Sequence, residues 1–288
     1  MSVLDSFSLE GKTALVTGAS YGLGAHMAAT LAEAGCNVIV AARSVDKLAT
    51  VAHSFDPSGD RSLIQGCDVT DPVQVQATVA AGWKRFGRVD ILVNNAGVIA
   101  ETAFMPERIP DNLFAQTMLT NVNGVFSFCR EVGARQLADG KGGSLINVAS
   151  VAGLGASAHF PTAYQASKAA VINLTKNLAV SWAGRGVRVN ALCPGWFPSE
   201  MTTPFFGLPP FMRRIEAMTP MGRVGRDHEL DGALIFLASD ASSFMTGAEL
   251  VVDGGISSHL GGVDYSPELF EALQDLAGEV ATRITPQS

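Results

Sequence analysis

Charge is scarce in this chain. Only 16% of its 288 residues are Asp, Glu, Lys or Arg, too few for a disordered acidic or basic protein. The little charge there is leans acidic, 27 carboxylates against 20 Lys and Arg for a formal net of -7, which argues against nucleic acid or an anionic membrane as partner. Cysteine is equally sparse. Cys36, Cys67, Cys129 and Cys193 lie far apart with no CxxC, so neither a disulfide framework nor a zinc ribbon is expected, and buried free thiols in a reducing cytosol fit instead. The five histidines, His26, His53, His159, His228 and His259, have no metal-ligand spacing, so no metal site is expected. No run of about eighteen apolar residues exists to span a membrane. The start, MSVLDSFSLEGKTALVTG, has no basic stretch leading into a long apolar one, and a cytoplasmic location without a secretory signal is expected.

What remains is a chain that is 47% hydrophobic, as a well-buried globular domain requires. Short apolar runs alternate with helical stretches. The runs KTALVT, NVIVA, SLIQGC, VDILVN, GSLINVAS, VRVNALC and ELVVD read as strands. Between them, helices are expected over about 22–34, 45–55, 72–86, 111–138, 162–182 and 227–238. Strands that are apolar throughout, separated by helical crossovers, specify α/β architecture: a doubly wound, seven-stranded parallel sheet with helices on both faces. With no linker and no repeat, residues 1–288 read as a single domain. Two segments break the rhythm. One is a Pro- and Phe-rich stretch over about 196–220, expected to form a substrate lid. The other is an extension over about 256–288, where Leu269, Phe270, Leu273, Leu276 and Val280 stand at helical spacing for docking on this domain or on a neighbouring subunit.

The first strand runs directly into TGASYGLG. This places Gly18, Gly22 and Gly24, with Ser20, Tyr21 and Leu23 between them, where a strand turns into a helix and backbone N–H groups can approach a pyrophosphate. The spacing is GxxxGxG, so the position after the first strand carries more weight than the pattern. The second strand ends in Ala41-Ala42-Arg43-Ser44, where a carboxylate would hold the ribose hydroxyls of NAD. No carboxylate is there, and Arg43 follows at once, which suits the 2'-phosphate of NADP(H); the alternative is that Arg43 opens a solvated loop. Asp68 and Val69 follow the third strand, and Asn95, Ala96 and Gly97 follow the fourth, all at the carboxyl edge where ligands bind. Asp68 has two readings, acceptor for the adenine amino group or helix cap, and Asp71 is the better cap.

Further along, YQASK sets Tyr164 and Lys168 one helical turn apart. With three tyrosines and six lysines in the chain, such a pair arises by chance only roughly 0.06 times, so even this fragment is informative. Taken in order, TGASYGLG, NNAG, Asn121 in TNVNGVF, Ser150 in VASVAG, YQASK and Pro194-Gly195 resemble the single-domain branch of the short-chain dehydrogenase/reductase family over about the first 255 residues. The resemblance implies a Rossmann-type fold and a homo-oligomer, dimer or tetramer. It also implies hydride transfer between NADP(H), or NAD(H), and the ketone or secondary alcohol of a small molecule. Asn121, Ser150, Tyr164 and Lys168 would form the catalytic tetrad, with Tyr164 as proton donor and Lys168 lowering its pKa while holding the nicotinamide ribose. Ser150 would hold the substrate oxygen, and Asn121 would loosen its helix and position a water. Pro194, Gly195, Phe197, Ser199 and Met201 would meet the nicotinamide, with serine where the family usually has threonine.

For the substrate, the aromatic lid suggests an apolar wall. Ala152, His159, Phe160, Trp196 and Phe205 are the candidate lining residues. A carbonyl or 3-oxoacyl reductase is the main expectation. A polyol or sugar-acid dehydrogenase is the alternative, and a non-catalytic nucleotide-binding protein is the alternative from another class.

Overall fold

A computed structural model describes residues 2–102, 104–158, 160–258 and Gln274. The chain divides into a compact unit, Met1–Ser257, and a separate stretch, Ser258–Ser288. The expected helical extension with Leu269 and Phe270 lies outside the described residues, as does His159.

The strands are β1 (Thr13–Thr17), β2 (Asn37–Ala42), β3 (Ser62–Gly66), β4 (Ile91–Asn94), β5 (Gly143–Val148), β6 (Val187–Pro194) and β7 (Glu249–Val252). They form one sheet in the order β3-β2-β1-β4-β5-β6-β7, and every neighbouring pair is parallel. The helices are α1 (Gly22–Glu33), α2 (Val45–Phe55), α3 (Pro72–Phe86), α4 (Asp111–Met118), α5 (Val125–Asp139), α6 (Thr162–Trp182), α7 (Thr203–Phe206), α8 (Pro209–Met218) and α9 (Asp231–Ala238). This is the doubly wound Rossmann-type arrangement expected from the alternation of apolar runs and helices.

Side-chain alternation along each strand divides the core in two. Val16, Val38, Val40 and Ile146 point to one face, where Met27 and Leu31 of α1, Leu48 of α2 and Leu234 and Leu237 of α9 cover them. Leu15, Ile39, Leu92 and Leu145 point to the other, beneath Val75 and Val79 of α3, Phe128 and Val132 of α5, and Val171 and Leu178 of α6. Each such fully buried aliphatic side chain contributes about 1.5–3 kcal/mol. Local signals set the helix ends. Asp71 accepts the N–H groups of Val73 and Gln74 ahead of Pro72, which starts α3, and Gly87, at φ 78°, closes it in the left-handed conformation.

One expected helix differs in kind. The stretch over about 111–138 is α4 and α5 joined by a turn of π-helix, Leu119–Gly124. Asn121 sits in this wide turn, fully buried. Its side-chain oxygen accepts from Val98 N at 2.8 Å, and its amide donates to Val98 O at 3.0 Å and Ser167 Oγ at 2.9 Å. The helix is loosened at Asn121 because that side chain is drawn off to another segment of the chain. All four cysteines are free and buried, and no cluster of three or more metal-ligating side chains exists among the described residues. Nor is any described helix long and apolar enough to cross a membrane.

Candidate active site

At the carboxyl edge, the order of the sheet reverses between β1 and β4, and the crevice that opens there is tied along its floor. Thr17, the last residue of β1, accepts at its hydroxyl the N–H groups of Asn95 and Ala96, both at 3.1 Å. The Asn95 amide donates back to the carbonyls of Thr17 and Gly18, both at 3.2 Å. Gly18 takes φ +66°, and a Cβ there would stand 2.8 Å from Ala96 Cα. At Gly24 a Cβ would collide with Gly18 O and the Asn95 amide. Both glycines are therefore required by close approach.

A cleft of about 610 Å³ runs along this edge. Its walls bring together the glycine turn, Arg43, Ser44, Asp68, Val69, Asn95–Gly97, Ser150, Tyr164, Lys168, Pro194, Gly195, Phe197 and Ser199–Thr202, whereas Ala152, Phe160, Trp196 and Phe205, expected to line the substrate pocket, are not among them. At one end Arg43 and Ser44 are exposed. Asp68 spends one carboxylate oxygen on the N–H and hydroxyl of Thr70, at 2.9 and 2.7 Å. Those bonds, helped by the Arg43 charge, hold its pKa below the ordinary value. Asp71, not Asp68, is the helix cap, and Asp68 lines the cleft.

At the other end stand Ser150, which ends the loop after β5, and Tyr164 and Lys168 on α6. Lys168 is 5% exposed; its Nζ donates to Val148 O at 2.8 Å and lies 5.5 Å from the centre of the Tyr164 ring. Burial lowers the Lys168 pKa to about 8 against a small opposing effect of Cys193. Burial raises that of Tyr164, and a hydrogen bond with the Ser150 side chain draws it partly back. Each group loses hydration of its charged form on burial.

The lid segment folds back over the glycine turn: a Cβ on Gly22 would stand 3.5 Å from Ser199 Cβ. Ser199 Oγ pairs with Thr202 Oγ1 at 3.0 Å. Beyond it, α7 and α8 carry an aromatic cluster in which Trp196 meets Phe206 and Phe211 edge-on, at centroid distances of 6.3 and 5.3 Å. Phe205 packs on Phe211 at 5.5 Å. Phe160 joins the cluster to the site, 5.9 Å from Trp196 and 6.0 Å from Tyr164. Ala152 donates its N–H to Ser150 Oγ at 3.1 Å.

Sequence reading missed three charged residues here. Lys47 lies 5.0 Å over the Tyr21 ring and 3.6 Å from Glu200 of the lid, so a second cation accompanies Arg43 at that end. Only the i, i+4 position of Lys47 after Arg43 hinted at it. Glu101 is fully buried against α6, and nothing in its local sequence marked it.

The glycine cradle, the acceptor and cation at its far end and the buried lysine at its near end form a donor set that fits a nicotinamide dinucleotide. A family model described as enoyl-(acyl carrier protein) reductase matches residues 18–257. The chain belongs to the short-chain dehydrogenase/reductase family. Within this family of oxidoreductases acting on CH–OH groups, it is 39% identical over 260 residues to gluconate 5-dehydrogenase of Gluconobacter oxydans, covering 90% of this chain and all of that one. It is 39% identical over 257 residues to D-threitol dehydrogenase of Mycolicibacterium smegmatis, covering 88% and 96%. Among solved structures, gluconate 5-dehydrogenase from Burkholderia cenocepacia in complex with NADP and tartrate superposes with a TM-score of 0.85 at 37% identity, covering 90% of this chain and all of that one.

Proposed function

We propose that this chain oxidises a secondary hydroxyl of a polyol or sugar acid to a ketone, and catalyses the reverse reduction, with NADP(H) preferred and NAD(H) also accepted. The reading rests on one observation: Tyr164, Ser150 and Lys168 converge at one end of a cleft whose other end offers Arg43, with no carboxylate where β2 ends in Ala41-Ala42-Arg43-Ser44. The relatives named for gluconate and threitol support a hydroxyl-rich substrate over the 3-oxoacyl substrate first expected.

Bound NADP(H) supplies or takes up the hydride. The protein's part is to move the proton and to fix the geometry. With its pKa raised, Tyr164 keeps its proton at neutral pH and can give it to an oxygen that gains negative charge, or receive one from a hydroxyl through the reverse path. Ser150 Oγ, paired with that hydroxyl, holds the same substrate oxygen. The Lys168 ammonium stabilises developing phenolate charge; at an effective dielectric near 20, a unit charge a few ångströms away is worth on the order of 4 kcal/mol. Asn121 anchors the turn on which this end of the cleft is built.

A second reading, reduction of a bulky apolar ketone, is favoured by the aromatic chain from Tyr164 through Phe160 to Trp196 and Phe211. The exposed Phe114, Leu119 and Phe126, on and beside α4 and α5, support a homo-oligomer, and light scattering is expected to give the mass of two or four chains, against which a single-chain mass would count.

A panel of polyols and sugar acids with NADP+, and of ketones with NADPH, separates the substrate readings. Turnover is expected on the hydroxyl-rich panel, and activity confined to bulky ketones would establish the second reading. Tyr164→Phe is expected to lower kcat at least about a hundredfold; native turnover in this variant would remove the proton-donor role. Arg43→Ala should raise KM for NADPH by about 10- to 100-fold, the worth of a charge-assisted contact, and leave KM for NADH nearly unchanged. Equal effects on both would show that Arg43 does not read the phosphate. Ketone reduction should hold level at neutral pH and fall by roughly tenfold per unit above about 8, where Lys168 loses its charge. A level profile to about pH 9.5 would mean that this charge is not needed.

A further inference from the structure

Helix α6 begins without a cap of its own. Its N-cap residue is Pro161, which makes no side-chain hydrogen bond to the first turn, and the third helical residue, whose amide a capping side chain normally satisfies, is Tyr164 itself. The acceptor comes from elsewhere in the chain: Glu101 Oε1 takes the Tyr164 N–H at 2.8 Å. Its other oxygen, Oε2, accepts the Thr117 hydroxyl at 2.6 Å, while Thr117 Oγ1 accepts the Ala100 N–H at 3.2 Å. Both carboxylate oxygens thus act as acceptors, in a side chain with no solvent exposure. A buried carboxylate in a water-excluded site is costly unless fully bonded, and here it is bonded to the helix end that favours negative charge.

The other side of Tyr164 is tied as well. Ser167 Oγ donates to Tyr164 O at 2.7 Å and accepts from the Asn121 amide. Asn121 in turn clasps both backbone groups of Val98, three residues before Glu101. The contacts close a ring that runs from the Tyr164 N–H through Glu101, back along the chain to Val98, across to Asn121, and through Ser167 to the Tyr164 carbonyl. That ring includes the loop following Gly97, which lines the cleft. A side chain that must meet a substrate oxygen within a few tenths of an ångström needs its backbone held at both ends.

We propose that Glu101 is a positioning residue for Tyr164: by capping α6 from the segment that follows β4, it fixes the tyrosine relative to the loop after Gly97, so that its loss impairs turnover and leaves cofactor affinity largely intact. The inference rests on the reading of Tyr164 as proton donor. Its test compares Glu101→Ala, Glu101→Asp and Glu101→Gln with the native protein and Tyr164→Phe. Three quantities are read: NADPH affinity by fluorescence titration, hydrogen exchange of the Tyr164 amide without cofactor, and kcat on the best alcohol of the panel above with NADP+.

Glu101→Ala should exchange the Tyr164 amide at least about tenfold faster and lower kcat by about 10- to 100-fold, with the NADPH dissociation constant changed by no more than about twofold. Glu101→Gln, which keeps an acceptor at the same reach, should restore both amide protection and kcat to within about threefold. If the alanine variant does not fold, Glu101→Asp, which draws the acceptor back by one methylene, should show the same split between kcat and affinity in milder form. Native kcat in the alanine or aspartate variant beside an inactive Tyr164→Phe would overturn the positioning role alone. A parallel loss of kcat, affinity and melting temperature in every variant, glutamine included, would overturn it too, reducing Glu101 to a structural part. Native turnover by Tyr164→Phe would instead sink the proton-donor reading, whereas faster Tyr164 exchange in Glu101→Ala would still stand as the cap.

Discussion

Everything at the carboxyl edge depends on how closely the ends of β1 and β4 are held. Thr17 and Asn95 do this with one hydroxyl and one amide, which between them satisfy two N–H groups and two carbonyls at the point where the sheet changes direction. Loops leaving adjacent strands would otherwise diverge, because their helices go to opposite faces of the sheet. The tie leaves no room for a Cβ at Gly18 or Gly24, so the turn can pack against the start of the loop after β4. The glycines and the asparagine are one device: the first supply clearance, the second uses it.

The near end of the cleft works against hydration. Tyr164 and Lys168 are each penalised for carrying charge, yet the proposed reaction passes a proton between Tyr164 and a substrate. The structure answers with fixed partners instead of water: Val148 O for the ammonium, Ser150 for the phenol, and Glu101 and Ser167 for the tyrosine backbone. Such a preorganised polar site costs stability where it is built and needs little reorganisation when charge moves. The aromatic lid continues the same logic outward. Phe160, Trp196 and Phe211 pack edge to face beside the cleft.

Much of this was legible in the sequence, for physical reasons that differ by element. The seven strands show as uninterrupted apolar runs because both faces of the sheet are covered. Helix α3 shows because its cap, its first-turn proline and its closing glycine are all local. Tyr164 and Lys168 could be paired because helical spacing fixes who meets whom within one turn. The π-helical turn at Leu119–Gly124 could not be read from spacing, since its cause is the bond between Asn121 and Val98, a contact between segments. Glu101 escaped for the same reason. A glutamate in a loop looks solvated until α6 is laid against it, and the clasp of Lys47 on Glu200 appears only when the lid crosses the glycine turn.

The central claim is that one cleft holds a phosphorylated dinucleotide between Arg43 and Lys168 with Tyr164 at its reactive end. A crystal structure of the protein soaked with NADP+ tests this most directly. The pyrophosphate is expected on the turn from Gly18 to Gly24, the 2'-phosphate within hydrogen-bond reach of Arg43, and the nicotinamide ribose at Lys168 beside Tyr164. A dinucleotide bound anywhere else, or one in this cleft with its nicotinamide turned away from Tyr164, would contradict it.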